Sequence, residues 1–173
     1  MEQTESFGSP LYWCMLVLLL VSRSMDFLST WVATPNLVLE GNPIAKKLGW
    51  KLGGVLNVAV CVGFAFWPFT AIIIATTSVL VAARNFQSAW LMRSLGEENY
   101  RDWFLDRMAQ TGVPLFLFCL LGQTVLTGVV GLALTRYSRQ VIPTAIGIGI
   151  IAYAFTVLFY TSLSLWRIRR ALG

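Results

Sequence analysis

Two ionisable side chains stand inside an apolar helical run that should carry none. In VSRSMDFLSTW, residues 21–31, Arg23 and Asp26 are three positions apart, which puts them on neighbouring positions of one helix face. A charge at the centre of a membrane helix costs about 2.5–3.5 kcal/mol on insertion scales. The pair is therefore expected to face protein or a water-filled cleft. Ser22, Asp26, Ser29 and Thr30 extend it into a polar stripe. The next segment, ATPNLVLEGNPIAKKLGWK, adds Asn36, Glu40 and Asn42. Asn42 before Pro43 fits a helix N-cap followed by proline at the first helical position. Alternatively, Glu40 and Asn42 fold back toward Asp26 and complete a polar pocket. Asp26 itself fits three roles: a structural ion pair with Arg23, a proton or cation site, or a general acid or base.

Other chemistries are removed by the inventory. There is no histidine, which excludes imidazole metal ligands, His-ligated haem and Ser-His-Asp or Cys-His catalysis within the chain. Cys14, Cys61 and Cys119 are far apart and form no CxxC pair, so they are expected to be buried free thiols acting as small hydrophobes. No glycine-rich phosphate loop, HExxH or Gly-x-Ser-x-Gly occurs. Neither a metal nor a cofactor is expected.

The elements that must position these residues are membrane helices. The chain has 173 residues, 57% hydrophobic and 12% charged, with a mean hydropathy of +0.69. Soluble domains carry about 25% charge. The composition predicts an all-α, polytopic transmembrane bundle forming one domain over residues 1–173. The acidic N-terminus MEQTESFGSP lacks the positive flank of a signal peptide, so the first apolar run is expected to be retained. Its Trp13 and Trp31 are separated by about 27 Å of helix, a spacing suited to anchoring at two interfaces.

Five spans are predicted, over about 11–32, 49–66, 69–92, 113–134 and 142–166. The apolar stretch Leu52–Ala83 is too long for one crossing, and Trp67-Pro68 divides it into two antiparallel helices with a tight turn at Pro68. Charge supports the division. With the N-terminus outside, Lys46, Lys47, Lys51, Arg84, Arg93, Arg101, Arg107, Arg167, Arg169 and Arg170 fall on the inner side. Only Arg136 and Arg139 fall outside, as the positive-inside rule requires. Four spans would split the charges nearly evenly. The expected location is the inner (cytoplasmic) membrane, N-terminus outside and C-terminus cytoplasmic. The net charge of +5 then reflects topology and anionic headgroups, and nucleic acid is not an expected partner.

Between the third and fourth spans, Tyr100, Trp103, Phe104 and Met108 recur at helical spacing. They predict an amphipathic helix over about 97–109 lying in the inner interface; a solvated connector or a partner-docking helix fits the same pattern. Small and hydrogen-bonding residues mark faces on the last two spans: Gly122, Gln123, Thr124, Thr127, Gly128 and Gly131, then Gly147, Gly149, Ala152 and Thr156. Helix packing or homo-oligomer contact is expected there. Asn57, Gln123, Tyr153 and Tyr160 are candidates to line a cavity. No internal repeat suggests inverted transporter halves.

Asp26, Thr30 and Glu40-Gly41-Asn42-Pro43 resemble the Asp…Thr…Glu-x-Asn-Pro signature of a family of small, uncharacterised prokaryotic membrane proteins. The resemblance covers the first third of the chain and implies a bacterial or archaeal membrane protein, without a mechanism. The Asn-Pro-Ile-Ala string is also similar to the Asn-Pro-Ala loop of water channels, but that fold needs two such loops and six spans. Three functional readings follow. The first is a non-enzymatic binding, transport or accessory protein built on Arg23, Asp26, Thr30, Glu40 and Asn42. The second is an intramembrane enzyme using Asp26 and Glu40 on a lipid-borne substrate. The third is a structural subunit of a larger complex. Expected partners are the bilayer and either another membrane protein or a second copy.

Overall fold

Prolines and glycines punctuate this chain. In the computed structural model, which describes residues 4–172 (with side chains through residue 166, except at position 109), six helices follow one another. They are α1 (Pro10–Ala33), α2 (Pro43–Phe64), α3 (Pro68–Leu95), α4 (Glu97–Thr111), α5 (Val113–Tyr137) and α6 (Val141–Leu172). Proline occupies the first turn of α1, α2, α3 and α5, where its missing N–H would have had no intrahelical partner. Ser9 caps α1 by accepting from the Tyr12 N–H at 3.1 Å. Gly96 and Gly112 bracket α4 with φ of 80° and 85°, left-handed values that glycine reaches without steric cost.

The division of the Leu52–Ala83 stretch is present: α2 ends at Phe64 and α3 begins at Pro68. The turn is Ala65–Trp67, with Pro68 already the first residue of α3. Helix α2 begins at Pro43, where the Asn42-Pro43 cap reading puts a helix start and ahead of the span predicted from about Gly49; Asn42 caps it by accepting from the Ile44 N–H at 3.0 Å. Gly49 then breaks it, with φ 65° and ψ −172°, a conformation open essentially to glycine alone. The amphipathic segment is helical as α4, two residues longer than predicted.

Helices α1, α3, α5 and α6 are long and apolar enough to cross a membrane; α2, which carries Lys46, Lys47 and Lys51 in its first turns, is not one of them by that measure. The apolar side chains of these helices point outward in large numbers. Phe118 is 74% and Leu126 72% exposed on α5, a surface suited to acyl chains and not to water. The protein is a helical membrane protein.

A seam of small residues holds its centre. Ala71, Ala75, Ser78, Ala82 and Ala89 of α3 are buried against Tyr12, Met15, Leu16, Leu19, Ser22 and Ser29 of α1. Small side chains let two backbones approach, which replaces the missing hydrophobic drive between helices in lipid. Arg23 reaches Ser78, and Asn85 reaches Ser29 and Thr30, so α1 and α3 run parallel. The turn after α2 lies beside the start of α1: the Glu5 N–H donates to the Phe66 carbonyl at 2.9 Å, and the Tyr12 and Phe66 rings are 4.8 Å apart. Helix α2 thus returns from one end of α1 to the other.

Helix α6 seats on α3 at Gly149, where an added Cβ would meet Thr76 Cβ at 2.7 Å, and on α5 at Gly147, where it would meet the Gly131 carbonyl at 2.7 Å. The expected small face of α5 splits accordingly. Gly131 packs against α6, whereas Gly122 and Gly128 have no neighbour within 4 Å and are not used inside the bundle. The cysteine expectation holds only for Cys61; Cys14 and Cys119 are exposed on outward faces. Trp13 and Trp31 project outward from opposite ends of α1. The side chains of Arg167, Arg169 and Arg170 lie outside the described residues.

Candidate functional site

Arg23 joins three helices. Its Nη1 donates to Asp26 Oδ2 at 2.9 Å within α1 and to Ser78 Oγ at 3.2 Å on α3. Its Nε donates to Asn57 Oδ1 on α2 at 2.7 Å, and Nη2 donates to the same oxygen. Asn57 returns its own amide N–H to the Gly53 carbonyl at 2.9 Å, which fixes its oxygen toward the guanidinium. The planar fork of arginine suits this multi-directional role in a way a lysine ammonium would not. The Arg23 and Asp26 side chains are 29% and 19% exposed, so both are largely withdrawn from the outer surface.

One turn further along α1, Ser29 and Thr30 hydroxyls donate to the Asp26 carbonyl at 2.8 and 3.0 Å. The Asn85 amide on α3 donates to both hydroxyls at 3.2 Å. The polar stripe is therefore a ladder of hydrogen bonds into α3 as well as the edge of an open space. Such bonds satisfy groups that lipid could not.

The segment after α1 is folded over the end of this ladder. Glu97, at the start of α4, accepts from the Asn36 N–H at 2.8 Å, the Asn36 side chain at 2.9 Å and the Val38 N–H at 2.9 Å, and also from the Thr34 hydroxyl. Burial pushes the Glu97 carboxyl up, but those donors outweigh it and hold the group below the usual glutamate range. Trp50 Nε1 donates to the Pro35 carbonyl at 2.8 Å, and its ring packs edge-on against Phe27 at 4.9 Å. Glu40 accepts from the Asn42 N–H at 2.7 Å. Burial raises the Glu40 carboxyl above its ordinary value, against the lowering effect of that bond and of Lys46.

These elements enclose a cleft of about 500 Å³ between α2 on one side and α3 and α6 on the other, with α1 behind and the 34–42 segment at its mouth. All five residues singled out from sequence line it: Arg23, Asp26, Thr30, Glu40 and Asn42. The two roles weighed for Asn42 coexist, because the side chain that caps α2 also borders the cleft. Asn57 and Tyr160 line it too, while Tyr153 is instead buried with Leu120 and Val157, and Gln123 lies on the outer surface of α5. The volume falls within the roughly 300–1,000 Å³ of small-molecule sites.

Sequence reasoning passed over two contributors. Glu97 falls at the first position of the predicted amphipathic helix and is not singled out there, yet it anchors the 34–38 segment at the mouth. Arg84 looked like a topological charge, yet it lines the cleft, and its Nη1 is buried with no hydrogen-bond partner among the described residues. The available signal was its position in LVAARNFQSAW, an arginine following a long apolar run. Among the described residues, no three His, Cys, Asp or Glu side chains come together to hold a metal ion. Fold and cleft together define a class, a membrane-embedded helical bundle with an internal cleft lined by charged, polar and apolar side chains. Comparison with protein-family models, with curated proteins and with solved structures returned no match.

Proposed function

We propose that this chain is a non-enzymatic membrane protein that binds or passes a polar ligand in the cleft walled by α1, α2, α3 and α6. One observation carries the reading. Five residues selected by type and spacing, from two separate stretches of sequence, border a single space of ligand size. Arg23 and Asp26 neutralise one another there, so this pair can border water and polar solutes without setting an isolated charge against lipid. Thr30 and Asn42 supply neutral hydrogen-bonding groups, and Glu40 stands at the mouth.

The bundle crosses the bilayer five times in this proposal, with α4 in the interface. The return path of α2 supports it: α1 and α3 are parallel, so the segment between them must recross the same thickness. The basic residues Lys46, Lys47, Lys51, Arg93, Arg101 and Arg107 all belong to the end that carries the 34–42 segment and α4. By the positive-inside rule that end is cytoplasmic and the N-terminus outside. In this proposal the membrane is an inner membrane, which draws on the resemblance of Asp26, Thr30 and Glu40-Gly41-Asn42-Pro43 to small prokaryotic membrane proteins.

The test is accessibility to water. With Cys14, Cys61 and Cys119 replaced by alanine, Thr30→Cys should react with a membrane-impermeant thiol reagent added from the cytoplasmic side, at least tenfold faster than Val125→Cys on the outward face of α5. Equal, slow labelling of the two positions would leave no aqueous cleft and overturn the proposal.

A further inference from the structure

The cleft holds two arginines in opposite circumstances. Arg23 is committed to Asp26, Asn57 and Ser78. Arg84 also borders the cleft, but it forms no ion pair among the described residues, and its Nη1 is buried without a partner. A guanidinium stays charged at every pH the protein meets, and a charge withdrawn from water needs a counter-charge or hydrogen-bond acceptors. The acids that line this cleft among the described residues, Asp26 and Glu40, are engaged elsewhere: Asp26 holds Arg23 and Glu40 accepts from the Asn42 N–H. Glu97, beyond the lining, is occupied by the segment it anchors. Asn85, the next residue of α3, contributes donors and turns them to Ser29 and Thr30. An oxyanion from outside the chain would supply the partner that Arg84 Nη1 lacks among the described residues, a role for which the arginine fork is suited.

Shape narrows the class. The same cleft is lined by Leu56 and Val60 of α2, Val81 of α3 and Val157 of α6, so its wall is apolar beside the guanidinium. Helices α2 and α6 scarcely touch, which leaves that flank open toward the surface where the acyl chains of a bilayer would lie. A small hydrated anion would gain nothing from the apolar wall. We infer that the ligand of this cleft is an amphiphile with a phosphate headgroup, seated with the phosphate on Arg84 and the chain emerging between α2 and α6. This deepens the ligand-binding reading above and rests on it.

The full chain in a phosphate-free detergent provides the assay. Phosphatidylglycerol should raise the thermal unfolding midpoint, whereas dioleoylglycerol, with the same chains and no phosphate, and inorganic phosphate should not. Arg84→Gln should require at least about tenfold more phosphatidylglycerol for the same shift, with Arg84→Lys between. Equal responses of wild type and Arg84→Gln overturn the assignment to Arg84. A response to inorganic phosphate matching that to phosphatidylglycerol overturns the amphiphile in favour of a soluble anion. Should Arg84→Gln not fold, the wild-type series still decides, because equal responses to phosphatidylglycerol and dioleoylglycerol remove any role for the phosphate. Rapid labelling of Thr30→Cys with a failed lipid response leaves the aqueous cleft standing and rejects only this inference; slow labelling rejects both.

Discussion

A single guanidinium organises the centre of this protein. Arg23 bridges α1, α2 and α3 through Asp26, Asn57 and Ser78, and it is the only charged contact between α1 and α2 among the described residues. Its counterpart at the mouth is Glu97, which gathers Thr34, Asn36 and Val38. Because the folded protein holds Glu97 below its ordinary pKa, the stabilisation is present above the usual value of 4.5 and is lost as pH falls through the folded pKa. Glu97→Gln should therefore lower stability at neutral pH by about 1 kcal/mol, since bonds to a charge are strong but this site is partly solvated. Thermal unfolding followed by circular dichroism from pH 7 down into acid checks this. The wild-type and variant midpoints should differ at pH 7, the difference should begin to shrink below pH 4.5, and it should vanish only once the pH is below the folded pKa; a difference that stays constant into strong acid would remove the carboxylate from the explanation.

At the scale of elements, close approach of helices decides the architecture. The α1–α3 seam depends on Ala71, Ala75, Ser78, Ala82 and Ala89, and α6 locks onto α3 at Gly149. Gly149→Ala would drive a methyl group to within 2.7 Å of Thr76 Cβ and 2.9 Å of the Ile73 carbonyl. An overpacked site of this kind typically loses about 1–3 kcal/mol. Gly128→Ala, where no atom lies within 4 Å, should be neutral or gain up to about 1 kcal/mol from helix propensity. Denaturant titration in micelles compares the two, and an equal effect of both substitutions contradicts the seat at Gly149. Helix α2 is the contrasting case. Its break at Gly49, its few contacts beyond α1 and its long exposed face, including Leu52 and Val55, make it a wall of the cleft instead of part of the central seam.

The whole molecule is an alternation of directions. Helices α1, α3 and α6 run one way while α2 and α5 return, so both hairpin turns, Ala65–Trp67 and Ser138–Gln140, fall at the end opposite α4. The five crossings proposed above would put the 34–42 segment and α4 inside, and the turn at Phe66 and Arg139 outside. Glycosylation-site or alkaline-phosphatase insertion at Asn36, at Phe66, within α4 and at Arg139 reads the arrangement directly. A reporter at Phe66 that falls on the same side as one at Asn36 would return α2 to the surface and the crossings to four.

Much of this was legible in the linear chain, because the signals are local. Composition fixed the solvent, Pro68 fixed the break between α2 and α3 by removing a backbone donor, and Asn42-Pro43 announced the start of α2. Arg23 and Asp26 could be paired from spacing alone, since residues three apart share a helix face. What the sequence could not assign was the partner of a residue on another helix. Asn57 reaching Arg23, Asn85 reaching Ser29 and Thr30, and Glu97 reaching back across more than fifty residues to Asn36 all follow from which helices lie side by side. The same holds for the two glycine sets, alike in sequence, of which Gly131 and Gly149 are filled by a neighbour while Gly122 and Gly128 are not. Periodicity reports which face of a helix is special; only packing in three dimensions decides what that face meets, and so turned an arginine in an apolar run, Arg84, into a cation beside a cleft.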